Sequence, residues 1–294
     1  MSKYFYLSGL IYSIFLPLLF FAIPLHAENK LVVLSSIRPL ALIVEEIAGD
    51  FVSNQVLLEN ADSPHHLALR VSQIEKLKNA DLVVWVGPDF ERFLEKPLGN
   101  RRPQIALSRI LIGTDETHDH LSESHEDHRE RHLWLNPDNI RTLAAALEQQ
   151  LKILVPEHRN EIANNKIAFL NRFNALDKQT RSELSRFKGG FIVYHPALDE
   201  YVSAYKLNQV ASVVEGSDQS PGLRKIVQLK TDARSAKCLI ADIQEFEAAE
   251  RYADLLNLPL QKIDVLAVDI GNADWFDYFA GLAKVLTQCY AANQ

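Results

Sequence analysis

The stretch PEHRNEIANNKIAFLNRFNALDKQTRSELSRFK, residues 156–188, decides how this chain is built. After its first residue it contains neither Pro nor Gly, and nothing in it alternates with the period of a strand. Its apolar residues Ile162, Phe169, Phe173, Leu176, Leu184 and Phe187 recur close to the helical period. The spacing predicts one helix of about 30 residues, about 45 Å long at a rise of about 1.5 Å per residue. That exceeds the usual length of a globular helix and predicts a rigid connector between two domains.

Both flanks of this stretch read as α/β. Ahead of it, LVVL (31–34), QVLLE (55–59) and DLVVWVG (81–87) read as strands, with helices over 39–49, 72–80 and 90–98. A further helix begins at NPDN, with Asn136 as its cap and Pro137 in its first turn. Beyond Gly189-Gly190, strands at 191–195, 209–214, 238–243 and 260–264 alternate with helices over 196–206, 220–235, 245–257 and 274–289. Ser220 and Pro221 would cap and open the second of these helices. Continuous apolar strands bounded by helices argue for parallel sheets covered on both faces. The expected fold is α/β with two lobes, each a mostly parallel sheet flanked by helices, joined by one long rigid helix. The expected divisions are a signal peptide at 1–27, a first lobe at 28–155, the linker helix at 156–188 and a second lobe at 189–294. Within the first lobe, residues 114–131 lack apolar periodicity and read as a His- and acid-rich loop.

The chain has 294 residues, 47% hydrophobic and 23% charged, which is enough for two domains with sizeable cores. Its net charge of -7 argues against non-specific nucleic-acid binding, which needs a basic face. Lys3, the apolar run that follows it and Leu25-His26-Ala27 have the shape of a secretory signal cleaved after Ala27. The alternative is an uncleaved membrane anchor, although Pro17 and Pro24 interrupt the run. Export would place Cys238 and Cys289 in an oxidising compartment, where a disulfide competes with two buried thiols.

Ligands of open α/β sheets bind beyond the carboxyl ends of strands. Four potential metal donors read as lying at such places. His65 follows QVLLE, His132 opens HLWLNP just ahead of a helix, His195 ends FIVYH, and Asp264 ends LPLQKID. Imidazole nitrogen and carboxylate oxygen are common zinc donors, and here they come from both lobes. The segment HEDHR is not an HExxH site, since Arg129 stands where the second His would be. No nucleophile elbow or P-loop appears.

The segments SIRPLALIVEEIAGD (36–50), ADSPHHLALRVSQIEKLKNADLVVWVGPDFERFL (61–94), HLWLNPDN (132–139) and FIVYHPAL (191–198) resemble the periplasmic metal-binding proteins of ABC importers. They are most similar to the zinc-uptake, ZnuA-type group. The resemblance implies a two-lobed receptor, exported to the periplasm and monomeric, that hands Zn2+ to an ABC transporter membrane permease. It implies coordination rather than turnover, so not an enzyme. It also implies His65, His132 and His195 as ligands, with Asp264, or in its place water or a nearby acid, as the fourth. Manganese-type relatives generally carry Glu at the third place, so His195 favours zinc. The resemblance further implies a late disulfide matched by Cys238 and Cys289, and a His-rich loop in which His118, His120, His125 and His128 capture zinc weakly. His66 would face solvent or a neighbouring side chain, and His158 would be exposed on the connector. The chain departs from the pattern at Pro196-Ala197-Leu198, where Asp-Ala-Tyr is common, and at Asp242-Ile243, where Glu-Pro is usual. Rival readings are a manganese or iron receptor of the same fold, a zinc hydrolase, and a metal-binding adhesin or chaperone.

Overall fold

The computed structural model describes residues 30–59, 69–99, 102–112, 131–215 and 220–291. The signal segment, His65, His66, His118, His120, His125 and His128 lie outside these residues. The first lobe runs β1 (Leu31–Ser35), α1 (Arg38–Ala48), β2 (Val52–Val56), α2 (Val71–Asn79), β3 (Leu82–Trp85), α3 (Arg92–Leu98), β4 (Gln104–Ala106) and α4 (Leu107–Ile112). Its four strands are parallel, in the order β2-β1-β3-β4. After α5 (Pro137–Leu154) and α6 (Arg159–Leu184), the second lobe runs β5 (Gly190–Val193), α7 (Asp199–Tyr205), β6 (Gln209–Ser212), α8 (Leu223–Asp232), β7 (Ala236–Asp242), α9 (Phe246–Leu256), β8 (Leu260–Ile263) and α10 (Trp275–Ala291). Its parallel order, β6-β5-β7-β8, repeats that of the first lobe. In each sheet the chain first steps one way and then back across, so right-handed crossovers put α1 and α2, and likewise α7 and α8, on opposite faces.

The elements follow the apolar pattern, with three informative differences. β2 begins at Val52, upstream of the QVLLE run, because Val52 to Val56 take the register opposite Leu31 to Ser35. It is an edge strand, so its middle is polar: Asn54 donates to the Ala41 carbonyl at 2.8 Å. Leu57 and Leu58 then continue the ladder to the carbonyls of Ser35 and Ser36 at 2.9 and 3.0 Å. α8 is capped by Gly222 rather than Ser220. The short β4 and α4 carry too few residues for a periodic signal.

The connector α6 has 26 residues, about 39 Å at helical rise. It is shorter than expected because Pro156–His158 forms a separate 3-10 turn. There His158 is half-buried rather than exposed, its ring stacked on Phe51 at 4.4 Å. Nor is α6 a bare spacer. Ile162, Phe169, Phe173 and Leu184 are buried along one stripe. Phe169 meets Phe276 at 5.5 Å and Phe173 meets Phe279 at 5.2 Å, both on α10. One apolar core runs from β1 and α1 of the first lobe through α6 to α10 of the second. Burying each such Phe stabilises by roughly 2–3 kcal/mol. A smaller core lies under α8 and α9. The Cys238–Cys289 disulfide ties β7 to α10. Among the described residues, no helix is long and apolar enough to cross a membrane.

Candidate metal centre

In each sheet the strand order reverses between the first strand and its later neighbour, leaving a crevice at the carboxyl ends. His195 stands at that point in the second lobe, two residues beyond β5. Tyr194, just ahead of it, continues the ladder by donating to the Ile240 carbonyl at 2.8 Å. The Ala197 N–H then turns back to the His195 carbonyl at 2.7 Å.

His132 stands just ahead of a helix, as expected, leading into a 3-10 turn, Leu133–Leu135, at the start of α5. The turn is anchored because all three of its residues are buried. The Asn136 side chain caps α5 by accepting from the Asp138 N–H at 3.1 Å. The Trp134 indole reaches the second lobe, donating to the Val265 carbonyl at 3.0 Å. Phe90 lies edge-on to both His132 and Trp134, at 5.2 and 5.0 Å. Phe90 is itself aimed by the turn after β3, where Phe90 and Glu91 donate to the Gly87 carbonyl. Gly87 sits at φ +138, and a Cβ there would overlap the Ser108 side chain.

These arrangements bring the two imidazoles together between the lobes. Their ring centroids are 5.7 Å apart, with the ring planes inclined at 66°. Both residues are buried, at 4% and 7% exposure. Two imidazoles on one tetrahedral zinc, each with Zn–N of about 2.0 Å, have centroids about 5 Å apart. The pair is therefore close to the spacing that a shared ion requires. Among the described residues, no three His, Cys, Asp or Glu side chains gather as a complete metal site.

Residues 33–289 match the family model described as zinc-uptake complex component A, periplasmic. The chain belongs to the ZnuA family. It is 30% identical over 239 residues to the high-affinity zinc uptake system protein ZnuA of Yersinia pestis, covering 72% of this chain and 75% of that one. It is 29% identical over 238 residues to the ZnuA of Haemophilus ducreyi, covering 72% and 77%. The fold is that of a ZnuA crystal structure, at 21% identity and a TM-score of 0.75 over 89% of this chain and 100% of that one. It is equally that of the periplasmic zinc binding protein TroA from Treponema pallidum, at 18% identity and 0.75 over 90% and 99%.

In this ZnuA-family chain Asp264 directly follows β8, as expected. Both of its carboxylate oxygens already accept backbone N–H groups, from Val268 at 2.9 Å and Asp269 at 2.8 Å. Burial raises its pKa above the ordinary carboxylate value, against those hydrogen bonds. It also lines a cavity of about 300 Å³ with Lys262, Asp269, Asp277 and Tyr278. Asp242 is pushed up to about 6 by burial. It joins the ends of β7 and β8 by accepting from Val265 N–H at 2.9 Å and Gln244 N–H at 3.0 Å.

Besides Asp177 on α6, two buried carboxylates escaped the sequence reading. Glu91 is fully buried beside Phe90 and accepts the Val86 and Gly87 N–H groups at 2.8 and 3.3 Å. Burial pushes its pKa up to about 7. Glu200 lies in the first turn of α7 and faces the His132 segment. Neither stands in a motif, and a lone Glu in a helical segment reads as solvent-facing. Only the packing shows otherwise.

Proposed function

We propose that this chain is a periplasmic Zn2+ receptor that delivers its ion to an ABC-type membrane permease. The observation that supports it most is the buried pair His132 and His195, which comes from different lobes and meets at near-coordination spacing. His65, in the stretch of sequence between β2 and α2, supplies the third imidazole, and Asp264 the fourth donor. Neutral imidazoles and one carboxylate suit zinc, whereas a second carboxylate in place of His195 would suit manganese. The chemistry is reversible coordination, and the chain is not an enzyme. It works as a monomer. His118, His120, His125 and His128 hold further zinc weakly and raise its concentration near the cleft.

Isothermal titration of the apo protein with Zn2+ and, separately, with Mn2+ tests this reading. One tight zinc site that outcompetes manganese supports it. A preference for manganese, or no tight zinc site, overturns it.

A further inference from the structure

Residues 131–136 carry His132 and are held in part by the opposite lobe. Glu200, five residues beyond His195, grips both ends of the segment. Its Oε1 accepts the Arg131 Nε at 2.8 Å and pairs with Arg131 Nη2 at 2.6 Å. Its Oε2 accepts the Asn136 side-chain amide at 3.2 Å. The middle of the segment is pinned by Trp134 to the Val265 carbonyl, which also accepts the Tyr278 hydroxyl at 2.7 Å. The Glu200 side chain is only 9% exposed, whereas that of Arg131 is 66% exposed. A buried carboxylate is retained at low cost only when it is paired and hydrogen-bonded, as this one is.

From this geometry we infer that Glu200 is a positioning residue for metal binding, a latch across the lobes that sets His132 against His195. The inference rests on the receptor reading above. Two physical effects follow from the contacts. Arg131 is a permanent cation one residue from a ligand, and it would oppose the arrival of a dication if it stood alone. Glu200 neutralises it. In addition, the bonds from Glu200 and the Val265 carbonyl to the His132 segment run between the lobes, alongside the shared core on α6. Opening of the cleft would strain them, so release of the ion is coupled to separation of the lobes.

The test is the rate at which a chelator strips Zn2+ from the full chain, measured by stopped flow, with apo-protein melting run in parallel. Glu200→Gln keeps the shape but loses the charge, and is expected to release zinc about 10- to 100-fold faster, the range for partners that orient metal ligands. Arg131→Met and the double variant complete a cycle, in which the effect of Glu200→Gln should shrink once Arg131 is absent. If Glu200→Gln lowers the apo melting temperature but leaves the release rate unchanged, the residue is structural and the latch is wrong. Equal effects of Glu200→Gln with and without Arg131 would also overturn it. Failure of the parent chain to bind zinc would instead overturn the receptor reading, and the latch with it.

Discussion

On the receptor reading, metal binding turns on His132 and His195. Replacing either by Ala would remove a buried imidazole donor. Zinc affinity is expected to fall by more than about 100-fold, beyond the usual cost of losing an outer partner. Competition with a chromogenic chelator measures this directly. Glu91 makes a different point. Its pKa of about 7 stands above the ordinary 4.5 because burial opposes its charge. Between these values the folded chain keeps a proton that the unfolded chain has lost, so stability falls as pH rises through the window. Glu91→Gln can still accept the Val86 and Gly87 N–H groups but has no proton to lose. Apo-protein melting should therefore match the parent near pH 4.5. The variant should gain with rising pH, levelling above pH 7 at on the order of 3 kcal/mol. An advantage that does not change with pH would show that Glu91 does not titrate in this range.

At the scale of elements, α6 is the member that makes two lobes one body. Its stripe buries Asp177 and Thr180 among the aromatics. Asp177 accepts Arg141 Nη2 at 2.7 Å from α5 and the Tyr205 hydroxyl at 2.9 Å from α7. Phe173→Ala leaves a cavity between α6 and α10 and is expected to cost about 3–5 kcal/mol. Because that cavity opens in a shared core, both lobes should melt earlier and still in a single transition, as followed by calorimetry. Two separated transitions would show that the lobes fold independently of α6. On the second lobe, the disulfide closes a separation of 51 residues. Replacing both cysteines by Ala should cost about 4 kcal/mol in the chain-entropy account, readable as a drop in the denaturation midpoint.

For the whole molecule, the proposed metal centre lies between lobes already joined by a continuous core. Binding then stabilises the entire fold rather than one half. At about 1,000 times the dissociation constant, zinc should add about 4 kcal/mol. Chelation should remove that gain in the parent chain and a much smaller one, about 1 kcal/mol for a 100-fold loss of affinity, in His195→Ala. A zinc-induced shift confined to part of the unfolding profile would contradict the shared core.

The alternation of apolar strands and helices, the long Gly-free helical stretch and the strand-end position of His195 are written locally, in periods of two and 3.6 residues. They were therefore legible without coordinates, as was Asn136 as a cap, whereas the residues alone left the pairing of the two cysteines open. The shift of β2, the 3-10 turn that shortens α6 and the burial of His158 depend on partners far along the chain. So do the roles of Glu91, Glu200 and Asp242. A carboxylate's sequence neighbours do not say whether it meets water, a backbone N–H or an arginine 69 residues away. Tertiary packing decides that, because desolvation and hydrogen bonding act through space rather than along the chain.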